Sequence, residues 1–171
     1  MLRRLVIYGV YLFLLAIFQT SLPFIPLFEG ALPNLTLAAV GAIGFFDSEQ
    51  AGAVAGIAAG WLLDALGCVT LSLMPLAGLA VGYICGIVAG RLLPRELPPF
   101  SLCLGGIALL NMLLTIVAGY AAVPDLKPSL LIFRTLIPEL FFTFIFGIPA
   151  SLIAFLCVKL AGRTRRERNN D

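Results

Sequence analysis

The feature that most constrains this chain is a succession of apolar stretches too long to be hidden inside a small globule. Leu5 to Leu22 and Leu102 to Val123 each run without a single charged side chain. Either is close to the roughly 20 residues that a bilayer's hydrocarbon core demands of a helix. In lipid a backbone must satisfy its own N–H and C=O groups, and an α-helix does so within one segment. Composition agrees: 61% of the residues are hydrophobic, 12% are charged, and mean hydropathy is +1.07. A soluble domain of this size carries about a quarter of its residues as charges. Half that supply cannot cover a globule with water-compatible surface. The expected class is an all-α polytopic membrane protein.

Several chemistries are disfavoured by what the chain lacks. It has no histidine, and so lacks the commonest general base and transition-metal ligand. Cys68, Cys85, Cys103 and Cys157 lie in or beside apolar segments with no CxxC spacing. They read as small, soft packing residues and not as a disulfide framework or metal site. No cofactor is expected. The net charge of +2, with basic residues gathered at the two ends of the chain, suits an anionic lipid surface better than a nucleic acid. The start, Met1-Leu-Arg-Arg before an apolar run, resembles a secretion signal, but no small-x-small cleavage site follows it. An uncleaved first span is expected.

Breakers divide the chain into six apolar segments: 5–22, 32–46, 51–66, 73–93, 101–123 and 139–160. Pro33 falls where a first helical turn tolerates proline. Asp47 to Gln50 makes a polar turn, and residues 130–137 read as an interfacial piece before the last span. The second segment is short enough to be re-entrant. Charge arbitrates, because lysine and arginine concentrate in short cytoplasmic loops. With six crossings and the amino terminus inside, nine basic residues lie inside and two, Lys127 and Arg134, outside. If the second segment does not cross, the balance becomes four against seven. The expected architecture is six transmembrane helices over 1–160, both termini cytoplasmic, and a basic cytoplasmic tail over 161–171.

Glycine spacing is the strongest internal pattern. Gly52, Gly56 and Gly60 recur every four residues in the third segment, and Gly78, Gly82, Gly86 and Gly90 in the fourth. Four residues turn a helix by about 400°, so each set keeps to one face. Small residues let helix backbones approach in lipid, where no hydrophobic drive brings them together. The two stripes pack against each other or against a helix of another protein. Asp64 continues the register of the third segment, and a carboxylate inside a bilayer faces a partner or a wet cavity. It either caps the loop that follows, near the headgroups, or meets another group; Thr70 and Ser72 are candidates. A proton or ion relay would need companion acids or histidines at similar depth, and the only candidate, Glu139, sits near the start of its span. Asn111 and Thr115, four apart in the fifth segment, suit interhelical hydrogen bonding. Trp61, beside the glycine stripe, reads as a packing residue. No phosphate loop, nucleophile with a base, or paired catalytic carboxylates appear, so an enzyme is not expected.

Taken together, the size, the six segments and one central block resemble the rod shape-determining MreD family. The block is Ala31-Leu-Pro-Asn-Leu-Thr-Leu37, then Gly52-Ala-Val-Ala-Gly-Ile-Ala-Ala-Gly-Trp-Leu-Leu-Asp-Ala-Leu-Gly67, then the glycine-bearing fourth segment with Gly82-Tyr83 and Arg91. Asn34 stands where that family more often has aspartate. Cys68 to Pro75 replaces its usual Ser-Pro-Leu-Gly loop. The resemblance implies a subunit of the bacterial elongation machinery in the plasma membrane. It would bind the bitopic protein MreC and help link MreB filaments to lateral peptidoglycan synthesis, shaping the cell wall without chemistry of its own. Pro33, Asn34, Gly56, Gly60 and Asp64 would then be fold and interface positions. The family's fold is similar to that of the substrate-binding subunits of energy-coupling-factor vitamin transporters, which is the rival reading. Those subunits present small residues on their first helix, whereas here that helix is bulky (Tyr11-Leu-Phe-Leu-Leu-Ala-Ile-Phe18).

Overall fold

A computed structural model describes residues 2–21, 34–66, 74–122 and 137–167. These form six helices: α1 (Leu2–Ser21), α2 (Leu35–Phe46), α3 (Glu49–Ala65), α4 (Met74–Arg91), α5 (Leu97–Ala122) and α6 (Ile137–Glu167). No strand occurs among the described residues. Three of the helices hold windows long and apolar enough to cross a membrane: Arg4–Ser21, Met74–Arg91 and Pro138–Leu160. The chain is an all-α membrane protein. Pro33, Cys68, Thr70, Ser72, Arg134 and all but Ile137 of the interfacial piece expected over 130–137 lie outside the described residues.

The fold is built around its shortest helix. All twelve residues of α2 are buried, against α1, α3, α4, α5 and α6 together. The sequence explains why: Leu-Thr-Leu-Ala-Ala-Val-Gly-Ala-Ile-Gly-Phe-Phe has no polar face to give to water, and a helix apolar all round belongs in an interior. At 1.5 Å per residue α2 is roughly 18 Å long, well under the bilayer core's 30 Å or so. Protein surrounds it instead. Large apolar side chains are exposed on every other helix, among them Leu5, Phe13, Ile84, Leu102 and Phe141. A soluble monomer rarely leaves so much apolar surface open; a protein in lipid must.

A turn of two residues, Asp47 and Ser48, separates α2 from α3. Asp47 caps the end of α2, its N–H donating to Ile43 O, and Ser48 caps the start of α3: its Oγ accepts from Ala51 N at 3.2 Å, filling the cap that serine favours. The two helices therefore fold back on each other, and α4 lies across both. Gly56 of α3 meets Gly78 of α4, Gly60 meets Pro75, and Gly86 meets the backbone of Glu49. At the centre three backbones converge, with Gly44 of α2 and Gly52 of α3 both against Gly82 of α4. The two glycine stripes are thus spent inside the molecule. Gly90 is the exception, facing open space.

Two expectations need correction here. Trp61 is 71% exposed. Val54, Ile57 and Trp61 fall at i, i+3 and i+7, an outward face, because a residue next to a buried one is turned about 100° away from it. In addition, α6 continues as a helix to Glu167, so the first part of the basic tail is a continuation of the last span and not a separate element. Elsewhere the helix ends lie within a few residues of the expected segments; α5 begins earlier, at Leu97, with Pro98 and Pro99 in the first turn, where no helical N–H bond is lost.

Candidate functional site

Both ends of α2 carry polar groups, and each collects residues from distant parts of the chain. One end is basic. The Asp47 carboxylate accepts from Arg4 Nη1 at 3.2 Å and from Tyr8 Oη at 2.9 Å. Arg95 Nη1 donates to the Asp47 backbone oxygen at 2.7 Å. Beneath this clasp the rings of Phe45, Phe46, Phe100 and Phe155 pack mostly edge to face, with centroids 4.9 to 5.4 Å apart. Lys159 Nζ stands 4.4 Å from the centre of the Phe155 ring. The starts of α1, α3 and α5 and the ends of α2 and α4 meet at this end, with α6 passing Lys159 toward its carboxy terminus. Successive helices therefore alternate in direction.

The other end is an amide relay. Asn34 caps α2, its Oδ1 accepting from Leu37 N at 3.1 Å. Its Nδ2 donates to Asn111 Oδ1 at 2.8 Å, and Asn111 Nδ2 donates in turn to Glu139 Oε1. Asn34, Asn111 and Glu139 are 6%, 4% and 7% exposed, dry enough that each unmade hydrogen bond would be costly. The direction of this relay is fixed by one backbone group. An N–H can only donate, so Leu37 forces Asn34 to turn its oxygen inward to the helix and its amino group outward. Asn111 must then present its oxygen to Asn34 and its amino group to Glu139, which must accept. Glu139 sits in the first turn of α6, where the helix dipole favours negative charge. Alongside, Gln19 Oε1 accepts from Thr36 N at 2.9 Å and from Thr36 Oγ1 at 2.7 Å, tying α1 to the same end of α2.

The candidate residues are distributed as follows. Gly52, Gly56, Gly60, Gly78, Gly82 and Gly86 lie in the α3–α4 contact and Gly90 outside it. Asn34 belongs to the relay, and Asp64 is half-buried in the last turn of α3. Asn111 bonds between helices, as its depth in an apolar segment leads one to expect. Sequence reasoning does not join it to Asn34 or Glu139, which lie 77 and 28 residues away. Gly44 is a second omission; α2 holds only Gly41 and Gly44, too few to show a period. Cys85 is buried in the core, with Cys103 and Cys157 packed against that core. Among the described residues no three His, Cys, Asp or Glu side chains gather closely enough to hold a metal ion.

The glycine crossing, the clasp and the relay hold α2 rigidly to every other helix, and they leave apolar faces outward. Comparison with family models, curated proteins and solved structures returned no match.

Proposed function

We propose that the chain is a scaffold subunit of the bacterial elongation machinery, of the MreD kind. In this reading it is a multi-pass protein of the plasma membrane with six crossings and both termini in the cytoplasm. It binds a single-span MreC-like protein, helps couple MreB filaments to lateral peptidoglycan synthesis, and catalyses nothing itself.

The observation that carries the proposal is the behaviour of the block behind the resemblance. Its described parts, residues 34–66 and 74–91, form one interlocked unit of α2, α3 and α4 that closes on Gly44, Gly52 and Gly82. Such a unit suits a rigid platform. The alternating helix directions support six crossings, since Arg4, Arg95 and Lys159 all reach the end of α2 marked by Asp47, as the positive-inside rule asks of a cytoplasmic face. The shortness of α2 is compatible with crossing, because a helix sheathed in protein need not match the lipid.

The vitamin-carrier reading is less well supported. The outward face of α1 carries Leu5, Val6, Val10, Phe13, Leu14 and Phe18, not the small residues that would seat a coupling protein. The small stripes of α3 and α4 already occupy each other. A tagged full-length chain, pulled from mild detergent and analysed by mass spectrometry, is expected to bring down a single-span MreC-like protein. Recovery of a coupling-factor ATPase in its place would reject the scaffold reading.

A further inference from the structure

Cys85 of α4 and Cys103 of α5 each stand among apolar neighbours, with no charged residue within a helical turn on either side. Packing brings them together. Their thiols lie within hydrogen-bond reach of each other. A second observation fixes the place. A Cβ on Gly41 of α2 would stand 3.4 Å from Cys85 Sγ and against the Ile107 side chain, and Ile107 follows Cys103 by one turn of α5. The two sulfurs therefore meet where α2, α4 and α5 converge, in the room that Gly41 leaves by having no side chain. Their exposure differs. Cys85 is 5% exposed and belongs to the core, whereas Cys103 is half-buried beside the outward-facing Leu102.

We propose that Cys103 and Cys85 form a thiol pair that reacts with lipid-soluble hydroperoxides, the product being a disulfide that joins α5 to α4. The surroundings select the oxidant. Apolar packing around both thiols excludes charged aqueous oxidants, whereas a hydroperoxide dissolved in the bilayer reaches the outward side of α5, where Leu102 and Leu109 are exposed. Cys103 Sγ attacks the terminal peroxide oxygen and the O–O bond breaks. Cys103 becomes a sulfenic acid, and its proton leaves with the alkoxide as an alcohol. Cys85 Sγ then displaces the hydroxyl from that sulfur: the S–S bond forms, the S–O bond breaks, and the Cys85 proton leaves with hydroxide as water. The two thiols have lost two electrons and the hydroperoxide has gained them. Every stable species is uncharged, as a dry apolar site requires. A reachable thiol poised next to a resolving one is a recurrent arrangement of redox-responsive cysteines. The inference rests on membrane residence alone and is independent of the protein partner proposed above.

The test uses the full chain with Cys68 and Cys157 replaced by serine, in phosphatidylcholine vesicles treated with cumene hydroperoxide. Both remaining thiols are expected to disappear together. Trypsin cuts after Arg91 and Arg95, between the two cysteines, and the flanking peptides should stay joined until dithiothreitol is added. Adding Cys85→Ala is expected to strand Cys103 as a sulfenic acid that dimedone traps. Adding Cys103→Ala should slow thiol loss by about tenfold or more, because only the core thiol remains. Loss of a single thiol in the parent, a disulfide-linked dimer in place of the bond within one chain, or equal rates in the two single-cysteine variants would overturn the proposal. The peptide mapping needs neither alanine variant, so it decides the matter even if one of them fails to fold.

Discussion

Gly82→Val is expected to leave little or no folded protein in mild detergent, whereas Gly90→Val, two turns along the same stripe, behaves as wild type. A Cβ at Gly82 would lie against the carbonyl oxygen, carbonyl carbon and Cα of Gly52. These are backbone atoms of a helix, so no side chain can rotate out of the way. Gly44 approaches the same peptide from α2, so α4 cannot retreat from one neighbour without losing the other. Overpacking in an ordinary core costs about 1–3 kcal/mol; a clash with the backbone of a neighbouring helix, at the only three-helix crossing of this kind among the described residues, should exceed that range. Gly90 has nothing within 4 Å of its would-be Cβ. Fluorescence-detected size exclusion with a thermal ramp reads the contrast directly. A monodisperse Gly82→Val protein with an unchanged melting temperature would show that α2, α3 and α4 do not close on these glycines.

The second large effect is predicted for a substitution that looks conservative. Asn34→Asp keeps the helix cap, because either oxygen of the new carboxylate accepts from Leu37 N–H. It removes the only side-chain donor that Asn34 offers to Asn111. Asn111 then stands between two carboxylates with one amino group: if it turns that group to the new aspartate, its oxygen faces Glu139. One buried acceptor is left facing another, at a cost of about 1–3 kcal/mol and more for charged groups. Adding Glu139→Gln reverses the relay and should recover most of the loss, since the glutamine amide can donate to the oxygen that Asn111 now presents. A double-mutant cycle on unfolding in detergent is therefore expected to show favourable coupling of about 1 kcal/mol or more. Additive losses in the double variant would mean that the relay does not have the direction set by Leu37. The prediction bears on the resemblance too, because the MreD family more often carries aspartate at this place.

How much of this is legible in the sequence depends on the range of the signal. Glycine spacing is local and periodic, so Gly52, Gly56 and Gly60 can be assigned to one face and matched to Gly78, Gly82 and Gly86. The third partner, Gly44, escapes because α2 is too short to show a period. Trp61 defeats the reading because nearness in sequence to a buried residue is not a shared face; on a helix the neighbour of Gly60 points elsewhere. The relay is illegible for a different reason. Asn34, Asn111 and Glu139 are polar residues in three separate apolar settings, and only the packing of α2, α5 and α6 joins them. The extent of α6 is hidden by a change in hydropathy at Leu160 that does not coincide with a change in backbone conformation.

The account depends on α2 being an enclosed element that carries the chain from one side of the membrane to the other. Cysteine accessibility tests it most directly, with Cys68, Cys85, Cys103 and Cys157 replaced by serine and single cysteines placed at Arg3, Asp125 or Asn170. With a membrane-impermeant maleimide on intact cells, Asp125→Cys should label, while Arg3→Cys and Asn170→Cys should react only after lysis. Labelling of one chain end but not the other in intact cells would mean an odd number of crossings, and α2 would not then carry the chain across the membrane.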